Sequence, residues 1–262
     1  MRRRPGGIDD RDRHAGGDQL SATETRAAEA ATAPADGQTP APEAPPLTTL
    51  VLVRHAVTEQ TGPMLTGRNP GVDLSDDGRK QAEALADRLS TLPVAAVYAS
   101  PIERTTQTAT IVAERHALPV RELPGALEAD YGEWTGGKLA ELAKTELWKT
   151  VQRAPSRARF PGGESLAEMQ TRIVGCLEEV VSEHPGEIVV VVSHADPIKS
   201  AIAHYTGLHL DLFQRIVVSP ASVTAFQLSA HGAALVKCND TGSLDELRPP
   251  PPENKNEEPA DG

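Results

Sequence analysis

The sequence is poor in cysteine and lacks any long apolar run, and both absences narrow what the protein can be. Two cysteines, Cys176 and Cys238, occur in 262 residues, which is too few for a disulfide framework and gives no metal-ligand spacing. A reducing compartment explains this content most simply. No stretch approaches the ~18 apolar residues of a membrane-spanning helix, and the charged N-terminus lacks the apolar segment of a signal peptide. We therefore expect a cytoplasmic protein without a membrane partner.

An excess of basic residues is also missing. The formal net charge is −11, and residues 239–262 alone hold 2 basic and 7 acidic residues. Because no basic patch is evident, we expect no nucleic-acid partner. Residues 1–46 and 239–262 are rich in Pro and charge and poor in large apolar side chains, so they cannot offset the entropy of ordering and are predicted to be disordered. The folded domain is then residues 47–238.

Strand and helix patterns alternate between these tails. Strands are predicted at 49–54, 94–98, 118–122, 187–193, 222–228 and 233–237. Helices are predicted to begin after Ser75, at Ser100–Pro101, after Ser165 and at Pro197, and a further helix is predicted near 138–150. This alternation predicts an α/β fold in which a mainly parallel sheet is covered by helices on both faces, a three-layer α/β/α sandwich.

Two of the apolar strands are followed by a histidine. The apolar run 50–53 leads to Arg54 and His55, and the apolar run 189–192 leads to His194. Ligands bind at the carboxyl edge of such sheets, so we expect both strand ends to contribute to one site. A histidine that is neutral at one ring nitrogen can attack phosphorus. An adjacent arginine can neutralise phosphate oxygens through paired hydrogen bonds.

Two further segments carry groups that suit phosphate chemistry. Arg104 falls in the first turn of the helix predicted at Ser100–Pro101, where free backbone N–H groups also favour anions. Glu128 precedes a loop rich in glycine and aromatic residues. A carboxyl group whose pKa is raised by its surroundings can donate a proton to a leaving oxygen, and Glu133 is a rival of Glu128 for that role.

Together these segments resemble the histidine phosphatase superfamily, also called the phosphoglycerate mutase-like family. The family's Arg-His-Gly-x-Thr motif is matched by residues 54–58, and its Ser-Pro-x-x-Arg-x-x-Gln-Thr-Ala block by residues 100–109. Its Glu-x-x-x-Gly-x-x-x-Gly loop is similar to residues 128–136, and residues 161–165 are similar to a loop of family phosphatases. The resemblance covers residues 48–237.

The resemblance implies a phosphoglycerate mutase-like fold and a metal-independent phosphatase without a cofactor. It makes His55 the nucleophile that becomes phosphohistidine and Glu128 the acid that protonates the leaving oxygen. Two arginines and a protonated His194 then supply the positive charge around the phosphoryl group. The catalytic residues implied are Arg54, His55, Arg104, Glu128 and His194. The phosphate- and substrate-binding residues implied are Arg54, Thr58, Thr61, Gly67, Arg104, Glu128, His194 and Ala195.

The sequence departs from the family pattern at three places. Ala56 replaces the glycine after the nucleophile, where its methyl group could crowd the phosphate or alter the turn. Thr61 stands where many members have asparagine. Ala195 and Asp196 replace a Gly-Gly pair. Asp196 could orient His194, select a cationic group of the substrate or cap the helix predicted at Pro197, and we favour the cap.

The substrate is expected to be a small phosphorylated metabolite, and residues 131–165 are expected to form a lid that sets specificity. A phosphomutase of the same family is the first alternative. A non-catalytic module that binds a phosphorylated ligand is the second, and the intact set of site residues argues against it. The protein is expected to be a monomer or a homodimer.

Overall fold

The computed structural model describes residues 46–242. The predicted disordered tails lie outside this range, apart from the few residues at their inner ends. At the C-terminal end the prediction is wrong by two residues, because the last strand continues to Asp240.

A six-stranded sheet forms the centre of the described chain, and a separate two-stranded sheet lies apart from it. The strands of the large sheet follow the order β4-β3-β6-β1-β7-β8. The first four are parallel to one another, whereas β1 pairs antiparallel with β7 and β7 with β8. The strands are β1 (Thr48–Arg54), β2 (Met64–Leu65), β3 (Val94–Ala99), β4 (Val120–Glu122), β5 (Gly137–Lys138), β6 (Ile188–Ser193), β7 (Val223–Ser229) and β8 (Gly232–Asp240).

Six α-helices accompany these strands in residues 46–242. They are α1 (Asp76–Leu89), α2 (Glu103–Glu114), α3 (Leu139–Leu142), α4 (Glu146–Arg153), α5 (Leu166–Glu183) and α6 (Ala195–Tyr205). Short 3₁₀ turns lie at Pro124–Ala126, Gly132–Trp134, Pro155–Arg157 and Leu210–Arg215. No helix in this part of the chain is long and apolar enough to cross a bilayer.

The central strands are buried on both faces, which explains their uninterrupted apolar runs. In β1, Val51 and Val53 pack in one hydrophobic cluster with side chains of α1 and α2. Leu50 and Leu52 point to the other face and pack in a second cluster with side chains of α5 and α6. Successive side chains of a strand point to opposite faces of the sheet, so β1 packs against the helices on both faces. The predicted three-layer sandwich with a mainly parallel sheet is confirmed.

Several element boundaries differ from the prediction. Pro101 precedes α2, which begins at Glu103, whereas α6 begins at Ala195 and accommodates Pro197 in its first turn. The first four N–H groups of a helix have no partner within it, so a proline costs little there. The single helix predicted over 138–150 is divided into α3 and α4. The two-residue strands β2 and β5 were not predicted, because so short a pair has no periodicity.

The segment expected to form a lid lies beyond the carboxyl edge of the sheet. Its aromatic residues Tyr131, Trp134 and Phe160 are buried in a third hydrophobic cluster with side chains of α4 and α5. Gly132 has φ +52°, and a Cβ there would approach the Pro161 carbonyl oxygen to 2.1 Å. The two ends of the lid are therefore packed backbone against backbone, which only glycine permits at this position.

Candidate active site

A cavity of about 320 Å³ opens at the carboxyl edge of the large sheet. Every residue predicted for the site lines this cavity except His194, which is fully buried directly behind it. The lining residues that were predicted are Arg54, His55, Thr58, Thr61, Gly67, Arg104, Glu128 and Ala195. The folded chain therefore collects groups that are far apart in the sequence.

The two histidines follow neighbouring strands. β1 and β6 are adjacent and parallel, with Arg54 paired with Ser193 in the register. His55 continues this ladder, since its backbone N–H donates to the Ser193 carbonyl at 3.0 Å. The imidazole centroids are 5.3 Å apart, so the predicted convergence of His55 and His194 is confirmed.

Hydrogen bonds fix which ring nitrogens carry protons. A guanidinium only donates, so His55 Nε2, which receives Arg104 Nε at 3.3 Å, must be an acceptor. His55 Nδ1–H then donates to the Ala56 carbonyl at 2.8 Å. By the same argument His194 Nδ1 accepts from Arg104 Nη2 at 3.1 Å, and its Nε2–H donates to Ser100 Oγ at 2.9 Å. Each imidazole is held as one tautomer, with a lone pair on the Arg104 side.

Arg104 is the centre of this arrangement. It lies in the first turn of α2, as predicted, and is 2% exposed. Besides both histidines it contacts the Gly67 carbonyl, to which its Nη2 donates at 2.7 Å. Arg54 is anchored in a similar way by the Val218 carbonyl, at 2.7 Å from its Nη1.

Each arginine also keeps an unsatisfied donor. Among the described residues, buried Arg54 Nε and Arg104 Nη1 have no hydrogen-bond partner. A buried donor without a partner costs free energy. Two such donors, on arginines that line the same cavity, indicate that the cavity is built to bind an oxyanion. Phosphate oxygens match the fork geometry of guanidinium donors.

Both histidines are neutral in the free protein. Burial is the main cause that lowers the pKa of His55 and of His194 well below the usual range, and the charge of Arg104 lowers both further. The protonated His194 implied for a site that holds a phosphoryl group is therefore not the state of the unliganded site. The reason is physical, because a third buried cation beside two arginines would be unfavourable.

Glu128 has the opposite shift. It is 8% exposed, and burial together with the charge of Asp196 raises the pKa of its carboxyl to about 7. A hydrogen bond from the Ala129 N–H at 3.0 Å and the two arginines oppose this rise. The rival carboxyl group, Glu133, is exposed. Glu128 thus combines contact with the cavity and a carboxyl that is partly protonated near neutral pH.

Two of the departures from the family pattern have simple structural accounts. Ala56 is fully buried in the cluster beneath α1 and α2, so its methyl group packs in the core. Its φ is also not in the left-handed region, so alanine imposes no backbone strain at this turn. Thr61 lines the cavity and accepts the Thr58 N–H at 2.9 Å through its hydroxyl, so it shapes the loop that follows the nucleophile.

The predicted cap at Asp196 is wrong. The cap position of α6 is His194, and Asp196 lies inside the first helical turn. Its carboxylate accepts the Tyr131 hydroxyl at 2.8 Å and lies 3.4 Å from the ammonium group of Lys199. All three side chains line the cavity, and neither Tyr131 nor Lys199 was predicted as a site residue.

Sequence reasoning also missed the network that holds the Glu128 backbone. Arg68 Nε donates to the Glu128 carbonyl at 2.8 Å, and Arg172 Nη2 does so at 3.4 Å. Glu164 bonds both arginines, at 3.0 and 2.7 Å, and also accepts the Asp130 N–H at 2.8 Å. The only sequence signal was the 161–165 motif that contains Glu164. The arginines act on main-chain carbonyls, which leave no pattern in the sequence.

Within residues 46–242 no group of three or more His, Cys, Asp or Glu side chains is arranged to hold a metal ion. Asp196 pairs with Lys199 in the cavity, whereas Arg54, Arg104 and Glu128 bond main-chain groups.

Comparison with known proteins agrees with this geometry. The profile of the histidine phosphatase superfamily (branch 1) matches residues 50–241. Phosphoserine phosphatase 1 of Hydrogenobacter thermophilus is 35% identical over 203 residues, which cover 76% of this chain and 95% of that protein. Metal-independent phosphoserine phosphatase of Arabidopsis thaliana is 33% identical over 169 residues, or 61% of this chain and 69% of that protein.

A solved structure shows the same architecture. Mycobacterial glucosyl-3-phosphoglycerate phosphatase complexed with VO3 has a TM-score of 0.67 at 26% identity, covering 73% of this chain and 98% of that chain. The chain belongs to branch 1 of the histidine phosphatase superfamily. Its enzyme class is that of a phosphoric monoester hydrolase.

Proposed function

We propose that the protein hydrolyses a small-molecule phosphate monoester without a metal ion, through a phosphohistidine on His55. The observation that carries the proposal is the hydrogen bonding of the His55 ring. The bond from Nδ1–H to the Ala56 carbonyl leaves the Nε2 lone pair facing Arg104 in the cavity. A neutral imidazole fixed in this way is a competent nucleophile toward phosphorus.

In the first step Nε2 of His55 attacks phosphorus, and the bond from phosphorus to the ester oxygen breaks. Glu128, protonated near neutral pH, gives its proton to that departing oxygen. In the second step Glu128, now a carboxylate, takes a proton from water as the water attacks the phosphoenzyme. The N–P bond breaks, phosphate leaves and neutral His55 is restored.

The arginines stabilise the charge on the transferred group. Arg54 Nε and Arg104 Nη1 are the free donors, and preorganised donors of this kind contribute most where charge develops in the transition state. His194, neutral in the free protein, gains a favourable environment for a proton once a phosphate dianion enters. The positive charge for phosphoryl transfer thus comes from side chains.

The substrate is a small phosphorylated metabolite in this proposal. The names of the relatives refer to phosphoserine and to glucosyl-3-phosphoglycerate, and both molecules carry a carboxylate beside the phosphate. We place the enzyme in the cytoplasm as a monomer or homodimer, in keeping with two unpaired cysteines, of which Cys176 is buried and Cys238 exposed.

Hydrolysis of p-nitrophenyl phosphate by the purified protein tests the proposal. We expect full activity in EDTA, because arginines and not a cation neutralise the phosphate. Activity that EDTA abolishes and Mg²⁺ restores would refute metal independence. Turnover that requires a bisphosphate primer would instead support a phosphomutase.

The pH profile of kcat/KM should report Glu128. The protonated form is the donor and is present below its pKa, so kcat/KM is expected to fall as pH rises through about 7. Glu128→Gln should remove this limb and lower the rate by roughly 10²–10⁴-fold. In Asp196→Asn the limb should move to lower pH, because the charge of Asp196 raises the pKa of Glu128.

Glu133→Gln is the matched control, since Glu133 is an exposed carboxyl group of the same loop. Its profile should overlay that of the unmodified protein. An unchanged basic limb in Glu128→Gln would show that another group donates the proton.

A further inference from the structure

The first turn of α6 brings a carboxylate and an ammonium group into the cavity that holds the phosphate-binding arginines. Asp196 and Lys199 both line this cavity, and their side chains are 16% and 17% exposed. Neither group contacts the reacting atoms in the transfer described above, although the charge of Asp196 raises the pKa of Glu128. Largely buried charges are costly unless they are well paired, so the quality of their pairing is informative.

The pairing between them is loose. Lys199 Nζ lies 3.4 Å from Asp196 Oδ1 and 3.3 Å from Gln214 Oε1, whereas a charge-assisted hydrogen bond usually closes to about 2.7–2.9 Å. The exposed pair Asp77–Lys80, with the same spacing at the start of α1, closes to 2.9 Å. An acid and a lysine three residues apart in a first helical turn can therefore make a short contact, and Asp196 and Lys199 do not make one.

Asp196 is held in place from another direction. The Tyr131 hydroxyl donates to its Oδ2 at 2.8 Å, and burial with the charge of Asp196 keeps the pKa of this phenol well above its usual range. Among the described residues, Oδ1, the oxygen toward Lys199, makes only the long contact. Lys199 Nζ also lies over the Phe213 ring, 5.6 Å from its centroid, which leaves its N–H donors without a short anionic partner. Each of the two charges therefore retains capacity for a ligand of opposite sign.

A carboxylate at this place also works against a simple phosphate ester. Asp196 is close enough to Glu128 and Arg54 to influence the titration of both, so it repels a phosphate dianion bound by the arginines. A positive group on the substrate would offset that repulsion. A lysine one turn further along the helix would suit a negative group.

We propose that Asp196 and Lys199 form a specificity site for a zwitterionic group, Asp196 binding an ammonium and Lys199 a carboxylate. The substrate class is then a phosphate monoester of an amino acid. This inference rests on the proposed phosphatase function. The cavity of about 320 Å³ is at the small end of ligand sites, which span about 300–1,000 Å³, and suits an amino acid with a short side chain.

Four esters of similar size test each charge separately. O-phosphoserine carries both groups, O-phosphoethanolamine lacks the carboxylate, 3-phosphooxypropanoate lacks the ammonium and ethyl phosphate lacks both. We expect kcat/KM of the unmodified protein to be at least about tenfold higher for O-phosphoserine than for ethyl phosphate, because a site built for charged groups rejects an analogue without them.

The two variants should respond to different esters. For each ester we compare the ratio of its kcat/KM to that of ethyl phosphate. In Asp196→Asn this ratio should fall at least about tenfold for the two esters with an ammonium group, and in Lys199→Gln it should fall as much for the two esters with a carboxylate. Because the effect of Asp196 on Glu128 is common to all four esters, it cancels in these ratios. The matched controls Asp77→Asn and Lys80→Gln remove the exposed pair of α1 and should leave every ratio unchanged.

Failure takes distinguishable forms. If the unmodified protein hydrolyses ethyl phosphate as well as O-phosphoserine, or if both variants change all four esters alike, the specificity site is refuted and the phosphatase function stands. If none of the esters nor p-nitrophenyl phosphate is hydrolysed, the proposed function falls, and this inference with it. If a thermal melt shows that Asp196→Asn does not fold, the ester panel on the unmodified protein and on Lys199→Gln still tests the specificity site.

Discussion

Alanine in place of His55 is expected to lower kcat for p-nitrophenyl phosphate by roughly 10⁴-fold or more, since loss of a nucleophile can cost a hydrolase about 10⁶-fold. The variant removes the imidazole whose Nε2 lone pair faces Arg104, the arginine with a free Nη1 donor. His194 offers its lone pair to the same arginine but is fully buried behind the cavity. It should not substitute as the attacking group.

The covalent intermediate provides a second measurement of the same change. Acid-sensitive, alkali-stable phosphate should be trapped on the unmodified protein during turnover and should be missing from His55→Ala. His231→Ala, which removes an exposed imidazole in the turn between β7 and β8, is the control and should retain both rate and trapping. Turnover that survives loss of His55 would contradict the assignment of the nucleophile.

Substitution of Arg104 by lysine is expected to lower kcat/KM by about 10²–10³-fold, the effect of losing one preorganised donor. Lysine keeps the charge but cannot contact the Gly67 carbonyl and both imidazoles in one plane, as the guanidinium does. A loss of this size despite the conserved charge would show that geometry, and not charge alone, is required.

The neutral variant Arg104→Gln separates the electrostatic part. The charge of Arg104 lowers the pKa of both histidines, so its removal should raise these pKa values. A nucleophile must be neutral and is active above its pKa, and the acidic limb of kcat/KM should therefore move to higher pH. Arg115→Gln, an exposed arginine at the end of the same helix, should leave the limb in place. An acidic limb that stays unchanged in Arg104→Gln would contradict this coupling.

The sequence was most informative where a short segment determines its own structure. The apolar runs before His55 and His194 predicted buried strands that end at one edge, and the register of β1 and β6 agrees with that prediction. Ser75 was predicted to cap α1, and its hydroxyl accepts the Gly78 N–H at 3.1 Å. Local periodicity and capping are properties of neighbouring residues, which is why they can be predicted.

Features that depend on distant contacts could not be predicted in this way. Arg68 and Glu164 are 96 residues apart in the chain, and Tyr131 and Asp196 are 65 apart, yet each pair forms part of the site. That His194 is neutral without a ligand was not evident from the sequence either, because its pKa depends on burial and on how close Arg104 lies. The start of α6 was misplaced because proline is tolerated within a first turn as well as at its first position.

The ladder between β1 and β6 has a consequence for how this enzyme can change. The separation of the two imidazoles is fixed by main-chain hydrogen bonds between adjacent strands, of which the bond from His55 N–H to the Ser193 carbonyl is the last. The groups that surround the remainder of the substrate stand on the lid and on α6 instead. New substrates can therefore be accommodated by exchanging those side chains while the reaction centre keeps its dimensions, so that chemistry and selectivity are free to diverge independently.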